Sequence, residues 1–387
     1  MLARTAARLK DMAQLDDPTP LFWLGSNTAD AGGSGDGISA LRQEETGTLK
    51  PLSHSQVESP SFLANHPALP VIYAALEASG QVEALARRGE AGLVPLGRPL
   101  EAGDSVCHLT VTPDGSTLIA SCYGDGRVLL FPLAANGALA GEGVVAPASN
   151  DPYGDPLAAR AAELENTDFG DDPFAELALR KAVDDAAVDR PSRAHASLVL
   201  PDGRFATTDL GHDTVRIWRR SGTRPILSQE VVLPFGVGPR HLVSHPSGHV
   251  HVVTEYSNEV FTLGRGDDGA WRVVSSVRAT ADSLEDGDSA SEISVAASRE
   301  QLHVSIRGTN RVSTLSIGGD GSTVRAISDV ESGGVGPRHH VESGRFLHVA
   351  NQLSNEVSSF VLDSRGIPSK LLGSVEAGSP TCLVRAL

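Results

Sequence analysis

Short runs of alternating apolar and polar residues, broken by glycine, proline, asparagine and aspartate, make up most of the chain. A period of two predicts strands, and the turn residues between the runs predict hairpins. The segment 236–260 shows the pattern most clearly. His241 to His245 alternates, Pro246-Ser247-Gly248-His249 has turn chemistry, Val250 to Glu255 alternates back, and Tyr256-Ser257-Asn258 turns the chain again. A hairpin centred on that turn places Arg240 opposite Glu255, and cross-strand neighbours sit about 4.5–5.5 Å apart. An arginine, a histidine and a carboxylate gathered at one strand end exceed what a hairpin needs.

The same pattern recurs. P-S-F-L-A-N-H-P begins at 60, C-H-L-T-V-T-P-D-G at 107, A-H-A-S-L-V-L-P-D-G at 194, P-R-H-L-V-S-H-P-S-G at 239, S-E-I-S-V-A-A-S at 291 and P-R-H-H-V-E-S-G at 337. The residues after each opener (Ser61, His108, His195, Arg240/His241, Glu292, Arg338/His339) recur at intervals of 47, 87, 46, 51 and 47. Third strands follow, such as D-T-V-R-I-W at 213, N-R-V-S-T-L at 310 and N-E-V-S-S-F at 355. A period near 47 with several short strands per unit predicts an all-β propeller. A further copy assembles from L-F-W-L-G-S-N (21–27), G-I-S-A-L (37–41) and the final T-C-L-V-R-A-L, which gives seven blades with the ring closed by N- and C-terminal strands. Closure of this kind protects strand edges. Residues 1–20 read as a short amphipathic helical extension, and 21–387 as a single propeller domain.

The interval of 87 contains an insertion at 141–190, between the second and third blades. It carries 12 Asp/Glu and 4 Lys/Arg, half of the chain's formal charge of −16. Asp172-Pro173 forms an N-cap and first-turn pair for a helix, and 156–164 is a second helical stretch. The partly helical, acidic insertion is expected to cap one face of the ring or to form the contact of a homodimer. The overall negative charge argues against nucleic acid or an anionic membrane as partner. No apolar run reaches the ~18 residues of a membrane span. The N-terminus lacks a secretory core, so the expected location is cytoplasmic. Three cysteines, at 107, 122 and 382, make no disulfide framework, and free thiols are expected. G-R-G-D-D-G at 264–269 matches a dinucleotide fingerprint, but it opens no helix and reads as a hairpin turn.

In a propeller the first strand of each blade lines the channel, and the antiparallel second strand ends at the same mouth. The repeat therefore gathers Glu77; His108, Ser121 and Tyr123; His195 and Asp209; Arg240, His241 and Glu255; Glu292 and Arg307; and Arg338, His339, Asn351 and Gln352. Charges so placed are costly to desolvate unless they are paired or bind something. The simpler alternatives are ion pairs closing the blades (Arg240 with Glu255, Arg307 with Glu292) and turn chemistry for Asp209. His245, His249 and His251 read as hairpin residues, because no carboxylate or cysteine completes a metal site.

The set A-H with P-D-G and D-L-G-H-D (194–213), G-P-R-H with H-P-S-G and T-E (238–255), I-R-G-T-N (306–310) and V-A-N-Q (349–352) resembles the lactonase family of seven-bladed propellers. That family includes propeller-type 6-phosphogluconolactonase and the fungal 3-carboxy-cis,cis-muconate lactonizing enzyme. The resemblance implies that His195, Arg240, Glu255 and Arg307 occupy catalytic positions, the residues that turn geometry had already gathered. His241, Glu292, Arg338, His339, Gln352 and Glu77 are the expected substrate-binding residues. The implied activity is metal-independent hydrolysis of a small, anionic, sugar-derived lactone, without a cofactor. Arg240 and Arg307 would hold a carboxylate or phosphate and stabilise the oxyanion, with Glu255 or His195 as base. The alternatives are cycloisomerisation of a carboxylated muconate and a non-enzymatic, ligand-binding propeller.

Overall fold

The computed structural model describes residues 19–154, 177, 181 and 190–387 of the protein. Seven antiparallel sheets follow one another along the chain. In six of them the strands lie in sequence order from the channel outward, as in Pro239–Ser244, Val250–Thr254, Glu259–Arg265 and Trp271–Arg278 of blade four. The seventh is composite. Its innermost strand is Pro380–Arg385, which pairs with Leu21–Ser26, followed by Ile38–Gln43 and Leu49–Ser55. Each innermost strand packs against those of two neighbouring blades, and the contacts run full circle. The chain is thus a seven-bladed all-β propeller closed by both terminal strands.

Burial along each blade explains the sequence pattern. A second strand is covered on both faces by adjacent blades, so Val71–Leu76, Thr117–Cys122 and Phe346–Asn351 are buried at every position. An outer strand is solvated, and Trp271–Arg278 buries only Trp271 fully. Between sheets the core is closed by bulky side chains, among them Trp23, Tyr73, Phe131 and Trp218. The Trp218 indole N–H donates to Thr207 Oγ1 at 2.9 Å, so its polar atom is satisfied inside the core.

The insertion begins later than its composition suggests. Val144–Val145 pairs with Leu129 and Leu130 as the outer strand of blade two, although it falls inside the span 141–190. The helices expected at 156–164 and after Asp172, and residues 1–18 of the helical extension expected at 1–20, lie outside the described residues, apart from helical backbone at Leu177 and Lys181. Where the chain leaves blade two and re-enters blade three, Arg190 joins the two ends. It pairs with Asp151 at 3.0 Å and Asp213 at 2.8 Å and lies over the Phe235 ring. Among the described residues no helix is long and apolar enough to cross a membrane. All three cysteines are free, buried thiols. Segment 264–269 is a hairpin turn closed by Gly266 N–H donating to Ala270 O.

Candidate active site

A β-bulge interrupts every innermost strand near its start. In blade four the ladder runs from Ser244↔Val250 to His241↔Val253 and resumes at Pro239↔Thr254, leaving Arg240 as the extra residue. Arg240 therefore does not face Glu255 across the ladder, as a turn-centred count predicts. The turn centres about half a residue earlier, and the bulge then turns the arginine side chain toward the mouth. His195 and Arg338 fall in the equivalent interruptions of blades three and six. Phe62, His108, His241, Glu292 and His339, at or just after the bulges of blades one, two, four, five and six, meet one another across the channel.

The pair expected in blade four nevertheless forms. Arg240 Nε lies 2.9 Å from Glu255 Oε2, and Arg307 Nη2 lies 3.0 Å from Glu255 Oε1, so one carboxylate is shared by two guanidinium groups. Arg307 does not pair with Glu292. It sits at the end of its strand opposite Ser289, one layer nearer the mouth than Glu292, and donates to Ser289 Oγ at 2.6 Å. Arg240 Nη1 donates to the Ser291 carbonyl, and its side chain is 4% exposed. Burial lowers its guanidinium to about 10, against the attraction of Glu255, and it remains charged at neutral pH.

Deeper in the channel Glu292 lies between two imidazoles, 3.0 Å from His241 Nδ1 and 3.2 Å from His339 Nε2. Burial raises its carboxyl, opposed by His339 and Arg240. Phe62 lies against His108 at 4.2 Å with the rings tilted by 31°, and meets His241 and His339 edge-on. On the far side Arg338 faces Glu77 at 3.6 Å and donates to Gln352 Oε1 at 3.3 Å.

His195 stands apart. It is 6% exposed, and its Nδ1 is buried with no hydrogen-bond partner among the described residues. Burial first, then the charges of Arg240 and its histidine neighbours, hold the imidazole well below its usual range. It is a neutral base beside a fixed cation. Asp209, by contrast, is structural: it accepts from Ser192 Oγ at 2.6 Å and from the Arg193 and His212 amides. Asn351 likewise donates to Ser332 O and Ser358 Oγ, away from the mouth.

Two residues at the mouth escape the sequence reading. The Arg193 guanidinium lies 4.6 Å over the Tyr123 ring, which meets His195 edge-on at 6.0 Å. Tyr256 follows Glu255, is 54% exposed and packs over Gly238, whose added Cβ would stand 2.6 Å from the ring. Both sit one residue outside positions the repeat singled out, so extending each strand end by one residue would have found them.

The family model for lactonase, 7-bladed beta-propeller, matches residues 21–385. The 6-phosphogluconolactonase of Bacillus subtilis (strain 168) is 22% identical over 352 residues, covering 89% of this chain and 92% of that protein. The 6-phosphogluconolactonase of Yersinia enterocolitica is 21% identical over 303 residues, covering 76% of this chain and 91% of that one. Among solved structures, the periplasmic gluconolactonase of Pseudomonas aeruginosa superposes with a TM-score of 0.78 at 23% identity, over 95% of this chain and 99% of that one. A protein from Lactobacillus plantarum gives 0.76 at 21%, over 95% and 99%. At these identities the superpositions speak for the fold, and the family match over nearly the whole ring gives the relationship. The chain belongs to the lactonase family of seven-bladed β-propellers.

Proposed function

We propose that the protein is a lactonase that hydrolyses an anionic, sugar-derived lactone of the 6-phosphogluconolactone type, at the mouth formed by His195, Arg240, Glu255 and Arg307. The observation that carries this reading is the unpartnered Nδ1 of buried, neutral His195 next to two arginines locked on one carboxylate. Both oxygens of Glu255 are already engaged by guanidinium groups, so Glu255 orients the arginines and His195 is the base. Water attacks the lactone carbonyl carbon as His195 takes its proton. The carbonyl oxygen becomes an oxyanion facing Arg240 and Arg307, whose geometry is set before the reaction. Collapse breaks the ring acyl C–O bond, and the imidazolium returns the proton to the departing alkoxide, giving a hydroxy acid. A lowered histidine pKa suits this last step, because the transient imidazolium is then a strong acid.

Around the mouth, Arg193, Arg240, Arg307 and Arg338 outnumber the carboxylates Glu77, Glu255 and Glu292. The local excess is positive although the chain carries −16 overall, which favours an anionic substrate. The test is a panel of sugar lactones and carboxylated muconates, with and without chelator, following acid release and diene absorbance. Hydrolysis of a sugar lactone that persists with chelator is expected. His195→Ala and Arg240→Ala should each lose at least about 10²-fold in kcat while remaining folded. Wild-type turnover in Arg240→Ala and Arg307→Ala, or loss of muconate diene without lactone hydrolysis, would overturn the reading.

A further inference from the structure

The arginines at the mouth are not alike. Arg240 and Arg307 share Glu255, and Arg338 faces Glu77. Arg193 has no carboxylate within ion-pair distance of its guanidinium among the described residues; its guanidinium stacks on Tyr123 and acts electrostatically on Tyr256. The Asp209 carboxylate, one ladder pair along, is occupied by the Arg193 amide, the His212 amide and Ser192 Oγ. A half-buried guanidinium without a counter-charge is a weak device for stability. It is, however, a prepared anion receptor, because stacking fixes the plane of its hydrogen-bond fork.

Two phenols complete the setting. Tyr256 stands near Tyr123, and burial together with the neighbouring Tyr123 and Glu255 pushes the Tyr256 phenol up to about 12, so it stays protonated at neutral pH. The Tyr123 ring lies between Arg193 and His195, 4.6 Å from the Arg193 guanidinium carbon and 6.0 Å from the His195 ring. An anion held by Arg193 therefore stands one aromatic ring away from the imidazole. A sugar lactone separates its carbonyl from a terminal substituent on that scale.

We propose that Arg193, Tyr123 and Tyr256 form a second anion subsite at the mouth, which takes the phosphate of a phosphorylated sugar lactone whose carbonyl lies at His195 and Arg240. This assignment rests on the lactonase reading above and adds to it the residues that distinguish a phosphorylated substrate from its unphosphorylated counterpart. The guanidinium receives two phosphate oxygens through its paired N–H groups, and the Tyr256 hydroxyl donates to the third. Tyr123 supplies the face that holds the guanidinium in place.

Two measurements decide it. The first compares kcat/KM for 6-phosphogluconolactone and for gluconolactone in the wild type and in Arg193→Ala, Arg193→Lys and Tyr256→Phe. The ratio of phosphorylated to unphosphorylated substrate should fall about 10- to 100-fold in Arg193→Ala, mainly through KM, and a few-fold in Tyr256→Phe. Arg193→Lys should recover part of the loss, since it keeps the charge and loses the fork. The second is calorimetric titration with inorganic phosphate, which needs no turnover. Wild-type protein should bind phosphate at least about tenfold more tightly than Arg193→Ala. If the wild type hydrolyses neither lactone, the lactonase reading fails, and the phosphate titration still decides the subsite. An unchanged substrate ratio in an active enzyme, or equal phosphate affinity in wild type and Arg193→Ala, would overturn the proposal.

Discussion

His195 and Arg240 occupy the same position in adjacent blades, yet their surroundings give them opposite tasks. Arg240 is held by Glu255 and the Ser291 carbonyl, while His195 keeps a buried nitrogen without a partner. The histidine pKa is lowered, so its neutral form persists on acidification through the ordinary range near 6.5. A reaction that needs neutral His195 should therefore show no loss of kcat/KM between pH 7.5 and about 6.5. Its acid limb should appear only well below that range. A pH profile of kcat/KM checks this, and an acid limb centred at or above the usual imidazole pKa would rule out His195 as the titrating base. The sequence showed which residues meet at this point, because the repeat is strict and each charged residue follows an opener. It did not show how they pair. The simpler alternative for Arg307, a pair with Glu292, does not form and Arg307 shares Glu255 instead, because the turn of blade five sits earlier than a symmetric count places it and a bulge adds one more residue, and no local signal marks either.

At the scale of the element, the blades are joined by a repeated latch. Asp213, Asn258, Asn310 and Asn355 all adopt left-handed backbone, with φ of 54°, 53°, 57° and 57°. Asn and Asp tolerate this conformation better than other residues with a Cβ. Each stands immediately before a third strand, in the D-T-V, N-E-V and N-R-V motifs visible in the sequence. Each side chain reaches the loop that opens the next blade. Asp213 accepts from the Gly236 and Gly238 amides at 2.7 Å each, Asn258 donates to Asp288 O at 2.9 Å, Asn310 accepts from the Gly336 amide at 2.8 Å, and Asn355 accepts from the Ser379 amide at 2.8 Å. The Asp213 latch holds the turn that leads into Arg240. Asp213→Ala should cost about 2–4 kcal/mol, because it strands the two amides and the buried end of Arg190. Asp213→Asn, which keeps the turn and one acceptor, should cost clearly less. Urea denaturation of the two variants measures this, and equal losses would show that the latch is not the source of the stability.

For the molecule as a whole, stability depends on closing the ring. Pro380–Arg385 supplies the innermost strand of a blade whose other strands come from the N-terminal part of the chain. Its side chains are mostly buried, with Cys382 and Leu383 in the core between blades. A chain ending at residue 379 leaves Leu21–Ser26 as an unpaired inner edge. It should lose the cooperative unfolding transition and associate through that edge. Circular dichroism melts and size-exclusion chromatography check the outcome, and a monomer that melts as the full chain does would refute the closure argument.

The sequence by itself determined the fold class, the number of blades, the composite closure and the gathering of His195, Arg240, Glu255 and Arg307 at one mouth. Those follow from period and order, which are properties of the chain. Only the tertiary structure decided which carboxylate each arginine meets, that Glu292 belongs to His241 and His339, that His195 keeps a nitrogen free, and that Arg193 and Tyr256 border the site. Those depend on bulges, on burial and on the approach of side chains from different blades, which set local dielectric and distance without leaving a periodic trace.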